Sequence, residues 1–214
     1  MLIFRTPHFF HWIFPKRMWG FSCPEKTVFL TFDDGPLPEV TDWVLDFLEH
    51  EGIQATFFCL GKHAIANVSI FEKIKCQGHA FGNHTFSHEH GVKVTKEAYL
   101  DSIEKANEVI QSNLFRPPYG RMPRSYDRSL DKYTIVMWSW LSYDFDERVP
   151  VEKIVNSAKN IRSGDILVFH DNQKSFERLK ILLPQVVEVL KENGFSFEVI
   201  TSRKDRQLPL TDRT

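Results

Sequence analysis

"TVFLTFDDGP", residues 27–36, runs an apolar stretch into two adjacent carboxylates and closes on Gly-Pro. The stretch opens with six residues, Thr27 to Phe32. They form an apolar, β-rich run that reads as a strand. Asp33 and Asp34 repel each other, and a turn before Gly35-Pro36 needs only one of them. The pair therefore calls for a ligand or a proton.

Outward from this stretch the chain alternates. Val40, Trp43, Val44, Phe47 and Leu48 recur at helical spacing, and Gly52 sits where the helix should stop. "IQATFFCL" (53–60) reads as a buried strand, 63–77 as a helix ending at Gly78, and "HAFGN" (79–83) as a short strand. Thr95 is placed to cap a helix over 96–112. "YTIVMW" (133–138) and "DILVFH" (165–170) read as strands with a helix at 151–161 between them. A helix over 175–192 should be kinked or split at Pro184, Gly194 ends it, and "FSFEVI" is the last strand. Strands alternating with helices predict an α/β fold with a mainly parallel sheet, open or closed into a barrel.

Composition bounds the function. The chain has 214 residues, enough for one domain with a buried core. Lys and Arg number 27 against 28 Asp and Glu, so no basic field argues for nucleic acid or an anionic membrane. The three cysteines, Cys23, Cys59 and Cys76, are an odd, irregular set and suggest neither a disulfide framework nor a thiolate zinc site. Residues 1–19, "MLIFRTPHFFHWIFPKRMW", are broken by Arg5, Pro7, His8, His11 and Pro15. That pattern suits an N-terminal arm (1–24) packing on a domain at 25–200 better than a signal peptide, a bilayer span or a membrane-surface segment. Residues 201–214 read as a polar tail. No transmembrane segment is expected, and the sequence alone places the chain in the cytoplasm, with a cell-envelope role left open. Oligomeric state is not legible.

The polar residues fall at strand ends. Asp33-Asp34 follows the first strand, His84 and His88 the 79–83 strand, and Asp144 the 133–140 segment. Arg116 opens "RPPYG", and His170 ends the 165–169 strand. In parallel α/β folds those ends share the face that carries the active site. "HTFSH" spaces His84 and His88 four apart, so one helical turn would set both imidazoles on one side as metal ligands. The motif lacks the Glu of H-E-x-x-H, so a base must come from elsewhere. The doubled aspartate can supply both a third ligand and that base. A phosphotransferring aspartate would need D-x-D, which this spacing does not offer. His79 reads as structural, and His63 and His90 as loop or solvated residues. Asn67-Val68-Ser69 matches a glycosylation pattern by chance.

"TFDDG", "HTFSH", "RPPYG" and "ILVFHD", in that order, resemble the polysaccharide deacetylases of carbohydrate esterase family four, the NodB homology domain, from about residue 25 to about 200. The resemblance implies a distorted (β/α) barrel and metal-dependent removal of N-acetyl groups from glucosamine-containing glycans. It implies Asp33 as base and Asp34, His84 and His88 as ligands of a divalent metal, zinc first, with cobalt, nickel or manganese as alternatives. It implies Arg116 holding the base ionised, the Tyr119 N–H facing the oxyanion, His170 as acid and Asp144 as its partner. The family often shows W-S-x-D-x-x-D-W, and here "WSWLSYDF" (138–145) has Leu141 and Phe145 in place of the first Asp and the final Trp. Trp138, Trp140, Tyr143 and Phe145 are candidates for a sugar-stacking groove wall, or for core. An O-acetyl esterase, a hydrolase of small cyclic amides, and a non-hydrolytic glycan-binding protein remain as alternatives.

Overall fold

β1 (Thr27–Asp33) is buried at every position and pairs in parallel with three neighbours. Its apolar residues and the two threonines, Thr27 and Thr31, are alike buried. The protein is described here by a computed structural model covering residues 4–201; apart from Thr201, the expected polar tail lies outside the described residues. In chain order the elements after β1 are α2 (Val40–Glu51), β2 (Thr56–Cys59), α3 (Gly61–Ala66), α4 (Val68–Cys76), β3 (Ala80–Asn83), α5 (Lys96–Ile110) and β4 (Leu114–Phe115). Then come β5 (Thr134–Ile135), β6 (Trp140–Leu141), α6 (Val151–Ala158), β7 (Ile166–His170), α7 (Phe176–Glu192) and β8 (Ser196–Phe197). A short helix, α1 (Phe9–Ile13), precedes them all.

The sheet has eight strands in the order β5-β4-β3-β2-β1-β7-β6, with β8 also on β1. Every described pairing between these strands is parallel. Its curled, helix-covered form is the distorted (β/α) barrel that the family resemblance implies. Alternation along the strands divides two cores. Val28, Leu30 and Phe32 of β1, Phe57 and Cys59 of β2, and Leu167 and Phe169 of β7 pack outward with α2 and α7. Phe29, Phe58, Leu114, Val136 and Ile166 fill the inside. By the same period of two, Asp33 and His170 point inward.

The path ends β5 and β6 lie five residues apart in sequence, and residues 4–20 lie across them. Met18 bridges Val136, Arg5 bridges Trp140, and Gly20 bridges Asp165. Arg5 also forms a salt bridge with Asp165, and the buried Arg17 pairs with Asp127 at 2.9 Å.

Local departures have local causes. The helix expected over 63–77 is two helices broken at Asn67, whose side-chain amide donates to the carbonyls of Pro36 and His63. The 133–138 strand shortens to Thr134–Ile135, because the chain then crosses from Phe115 to Ile166 as partner. β4 and β6, two residues each, were too short for periodicity to mark. α7 continues through Pro184 rather than splitting there. Thr95 does cap α5, its hydroxyl accepting from the Ala98 N–H at 3.2 Å, and Gly52 ends α2 in the left-handed region at φ 65°.

Candidate active site

Asp33 and His170 are register partners at the C-terminal ends of neighbouring strands β1 and β7. That alone puts two proton-carrying groups one strand spacing apart, at the mouth of the barrel. Each is then fixed by a different neighbour.

Arg116 lies wholly inside the barrel, directly after β4. Its Nη1 donates to Asp33 Oδ1 and to Thr31 Oγ1, both at 2.7 Å, and its guanidinium rests 4.0 Å from the Phe58 ring centre. Nε and Nη2 donate to the carbonyls of Val136 and Met137. Burial pulls the guanidinium below its ordinary value while the Asp33 charge opposes it; arginine stays protonated throughout. Asp33 thus keeps one oxygen committed to Arg116 and one, Oδ2, toward the cleft.

His170 is clamped by Asp144. Its Nδ1 donates to Asp144 Oδ1 at 2.8 Å, and its backbone N–H to Oδ2 at 2.7 Å. Burial alone would lower the imidazole's value; the fully buried Asp144 carboxylate outweighs it, helped by Asp34 and Asp33, and raises it to about 9. At neutral pH the ring therefore carries a proton at each nitrogen, and Nε2 is the one left for a ligand.

Asp34 follows Asp33, with Oδ1 3.2 Å from His88 Nε2 and 3.6 Å from His84 Nε2. Ligand atoms of the three residues lie within 4.8 Å of one another. His84 directs Nδ1 to the Arg116 carbonyl at 2.7 Å, so Nε2 faces Asp34. Burial lowers His84 to about 4 against the pull of Asp33 and Asp34, so the ring is neutral and can offer a lone pair. For Asp34, burial works to raise the value, but His170, His84 and His88 together with the Asn172 hydrogen bond carry it below the carboxylate norm. Asp34 Oδ1 is buried and has no hydrogen-bond acceptor or donor partner among the described residues. An unpartnered buried carboxylate oxygen facing two neutral-capable imidazoles fits a divalent cation, with one carboxylate and two nitrogens as ligands.

The local backbone is unusual here. Asp34 has φ 90°, and Thr85 and His88 both have φ 68°, values rare for residues other than glycine. The "HTFSH" segment is therefore a loop and not the helical turn that its spacing suggested. It closes because Thr85 Oγ1 accepts from the N–H groups of His88 and Glu89, and Asn83 Oδ1 accepts from Thr85 N–H. Three residues that the sequence reading did not place at the site hold Asp34 and its turn. Asn172 Nδ2 donates to Asp34 Oδ2 at 2.6 Å, and His63 Nδ1 donates to the Asp34 carbonyl at 2.7 Å. The buried Asp171 carboxylate accepts from the Gly35 N–H at 3.0 Å and from Thr41 Oγ1 at 2.7 Å. Asn172 and Asp171 directly follow His170, and that adjacency was the available signal.

Tyr119 has φ 59° and lies second in a three-residue 3₁₀ turn, Pro118–Gly120, where an N–H lacks an acceptor within the turn. Its exposed ring meets His88 edge-on at 4.5 Å and stacks on His90 at 4.9 Å. His90 is thus part of the cleft wall, whereas His79 is structural as expected, with Nδ1 accepting from the Ala55 N–H.

The cleft, about 730 Å³, takes in Asp33, Asp34, His84, His88, Tyr119 and His170. Of the four groove aromatics, Trp138 and Phe145 line it, and Phe145 meets His170 edge-on at 5.1 Å. Trp140 and Tyr143 do not. Trp140 is 1% exposed and turned outward from β6 onto Phe169, with its Nε1 on Ser157. Tyr143, at φ 52°, packs on Phe4 of the N-terminal arm at 5.4 Å. Leu141, beside Trp140 and facing the other way, lines the cleft with Val168, so this departure from the family pattern makes the wall apolar where a carboxylate would stand.

The family model described as polysaccharide deacetylase matches residues 22–138. A peptidoglycan-N-acetylglucosamine deacetylase of Bacillus cereus is 32% identical over 192 residues, covering 86% of this chain and 90% of that protein. The crystal structure of a peptidoglycan N-acetylglucosamine deacetylase bound to 4-naphthalen-1-yl-N-oxidanyl-benzamide matches with TM-score 0.77 at 30% identity, over 91% of this chain and 95% of that one. A family 4 carbohydrate esterase from Streptomyces lividans, in complex with acetate, matches with TM-score 0.72 at 26% identity, over 84% and 95%. The four motifs thus sit on the fold that their order implied, and the chain belongs to the polysaccharide deacetylase family.

Proposed function

We propose that this protein hydrolyses the N-acetyl group of N-acetylglucosamine units in a cell-envelope glycan, releasing acetate and leaving a free amine. The observation that carries the reading is the placement of two proton carriers, Asp33 with Arg116 and His170 with Asp144, beside the cluster of Asp34, His84 and His88. Asp34, His84 and His88 would hold a divalent cation, zinc by preference, which when bound would polarise the acetyl carbonyl and lower the pKa of water at the site.

The chain's own groups do the rest. Asp33 accepts a proton from the attacking water at Oδ2, because Arg116 occupies Oδ1. The Tyr119 N–H, on a turn stiffened by Pro117 and Pro118, stabilises the negative oxygen of the tetrahedral intermediate. His170, protonated at neutral pH, gives the Nε2 proton to the departing nitrogen as the C–N bond breaks. Trp138 and Phe145 supply ring faces for the sugar.

Acetate release from N-acetylated glucosamine oligomers, O-acetylated xylan and small cyclic amides, each with zinc, cobalt, nickel or manganese added to stripped protein, tests the reading. Release from the amino-sugar oligomers is expected. Release only from the ester or the cyclic amide, or from none, would replace it with one of the alternatives.

A further inference from the structure

Resting on that reading, we infer that Lys93 and Arg121 form an anion-selecting wall of the cleft, so that the preferred glycan carries a carboxylate beside the acetylated sugar. Both residues line the cleft and are exposed. Among the described residues neither has a carboxylate within ion-pairing distance. They belong to one surface. A Cβ placed on Gly91 would come within 2.9 Å of the Arg121 carbonyl, and His90 stacks on Tyr119 two residues before Arg121. The loop that carries Lys93 and the turn that carries Arg121 are therefore packed together, on the side of the site where Tyr119 meets His88.

Charge balance makes this wall distinctive. Among the described residues the only carboxylates lining the cleft are Asp33 and Asp34. Asp33 is answered by Arg116, and Asp34 stands among His84, His88 and the cation they would share. Neither is left to neutralise Lys93 or Arg121. The third cation of the cleft, Lys174, differs: it lies over Phe145 at 5.9 Å and borders a neighbouring hollow with Glu147 and the paired Asp146 and Arg148, so carboxylates stand in its surroundings. On a chain of net charge -1 the unanswered pair is a local feature rather than a consequence of overall basicity. Two cations on one rim, with an arginine able to fork onto a carboxylate, select for an anionic substituent and against a neutral chain.

The carboxylate can belong to a sugar, as a 3-O-lactyl ether, or to a peptide attached through it. Three probes separate these: a neutral N-acetylglucosamine tetramer, a tetramer with free lactyl carboxylates on alternate sugars, and the same tetramer with those carboxyls amide-linked to an acidic peptide. Binding is measured by calorimetry on the zinc-loaded full chain in an Asp33→Asn background, where turnover does not interfere. At least one acidic probe should bind about tenfold more tightly than the neutral one, with the preference shrinking as salt rises. Lys93→Gln combined with Arg121→Gln should abolish that preference. Whichever acidic probe leads identifies the source of the charge. Equal binding of all three, or a preference that survives the double substitution, overturns the inference. A preserved preference without acetate release by the unsubstituted protein would instead remove the deacetylase reading and leave the anion wall standing.

Discussion

Asp33 and His170 stand side by side as the last residues of two adjacent parallel strands, yet each answers to a different partner: Arg116 lies on the Asp33 carboxylate and Asp144 on the His170 imidazole. The carboxylate accepts from a guanidinium and the imidazole donates to a carboxylate. The arrangement sets the proposed base and the proposed acid within a single strand spacing.

The acid side is open to a pH test. Activity should fall as pH rises through about 9, where the His170 imidazolium loses its proton. Burial works against that charge and Asp144 sustains it, so Asp144→Asn should move the alkaline limb of kcat to lower pH and leave the acid limb nearly in place. An alkaline limb that stays put in a pH–rate profile would show that another group limits the rate.

Neighbouring aspartates should separate by role. Asp33→Asn should keep bound cation and lower kcat by on the order of 10²-fold or more. Asp34→Asn, His84→Ala or His88→Ala should instead deplete the cation, as read by elemental analysis, and a chelator should reproduce that loss reversibly. Reversed phenotypes at positions 33 and 34 would exchange the two assignments.

Asn172 offers a test one bond away from the ligands. Its amide fixes Asp34 Oδ2 and is itself held by the Ser175 N–H. Asn172→Ala should weaken zinc affinity by on the order of tenfold, with the fold intact by circular dichroism. Unchanged affinity in a competition titration would mean that the Asp34 backbone, held by His63, positions the carboxylate unaided.

The turn after the aspartates should be intolerant of bulk. A Cβ on Gly35 would lie 1.9 Å from Asp171 Oδ2, so Gly35→Ala should displace that buried carboxylate and cost about 1–3 kcal/mol. Denaturant unfolding measures it. A variant as stable as the parent would show that Asp171 can rotate away from both Gly35 and Thr41.

Much of this architecture is written in local sequence. The apolar run Thr27–Phe32, the capping Thr95 and the stop at Gly52 each act within a few residues, and the structure places them as short-range physics requires. Strand ends in a parallel sheet share a face, so the convergence of residues 33, 84, 116 and 170 follows from order alone. Other features depend on partners far away in the chain. His84 and His88 have the spacing of a helical turn, but Thr85 and Asn83 close a loop whose positive φ values no periodicity reveals. Trp140 and Leu141 differ in which face of a two-residue strand they take, and only pairing with β7 decides that one packs in the core and the other lines the cleft. Asp171 closes the ILVFHD motif and Asn172 follows it, neither with a role that the sequence assigns; they support Gly35 and Asp34 because β7 lies in register beside β1. Sequence by itself determined the fold class, the strand ends and the residue types that meet there. Tertiary structure decided which atoms face one another, because side-chain direction in short strands and loops is set by long-range pairing and packing rather than by neighbours in the chain.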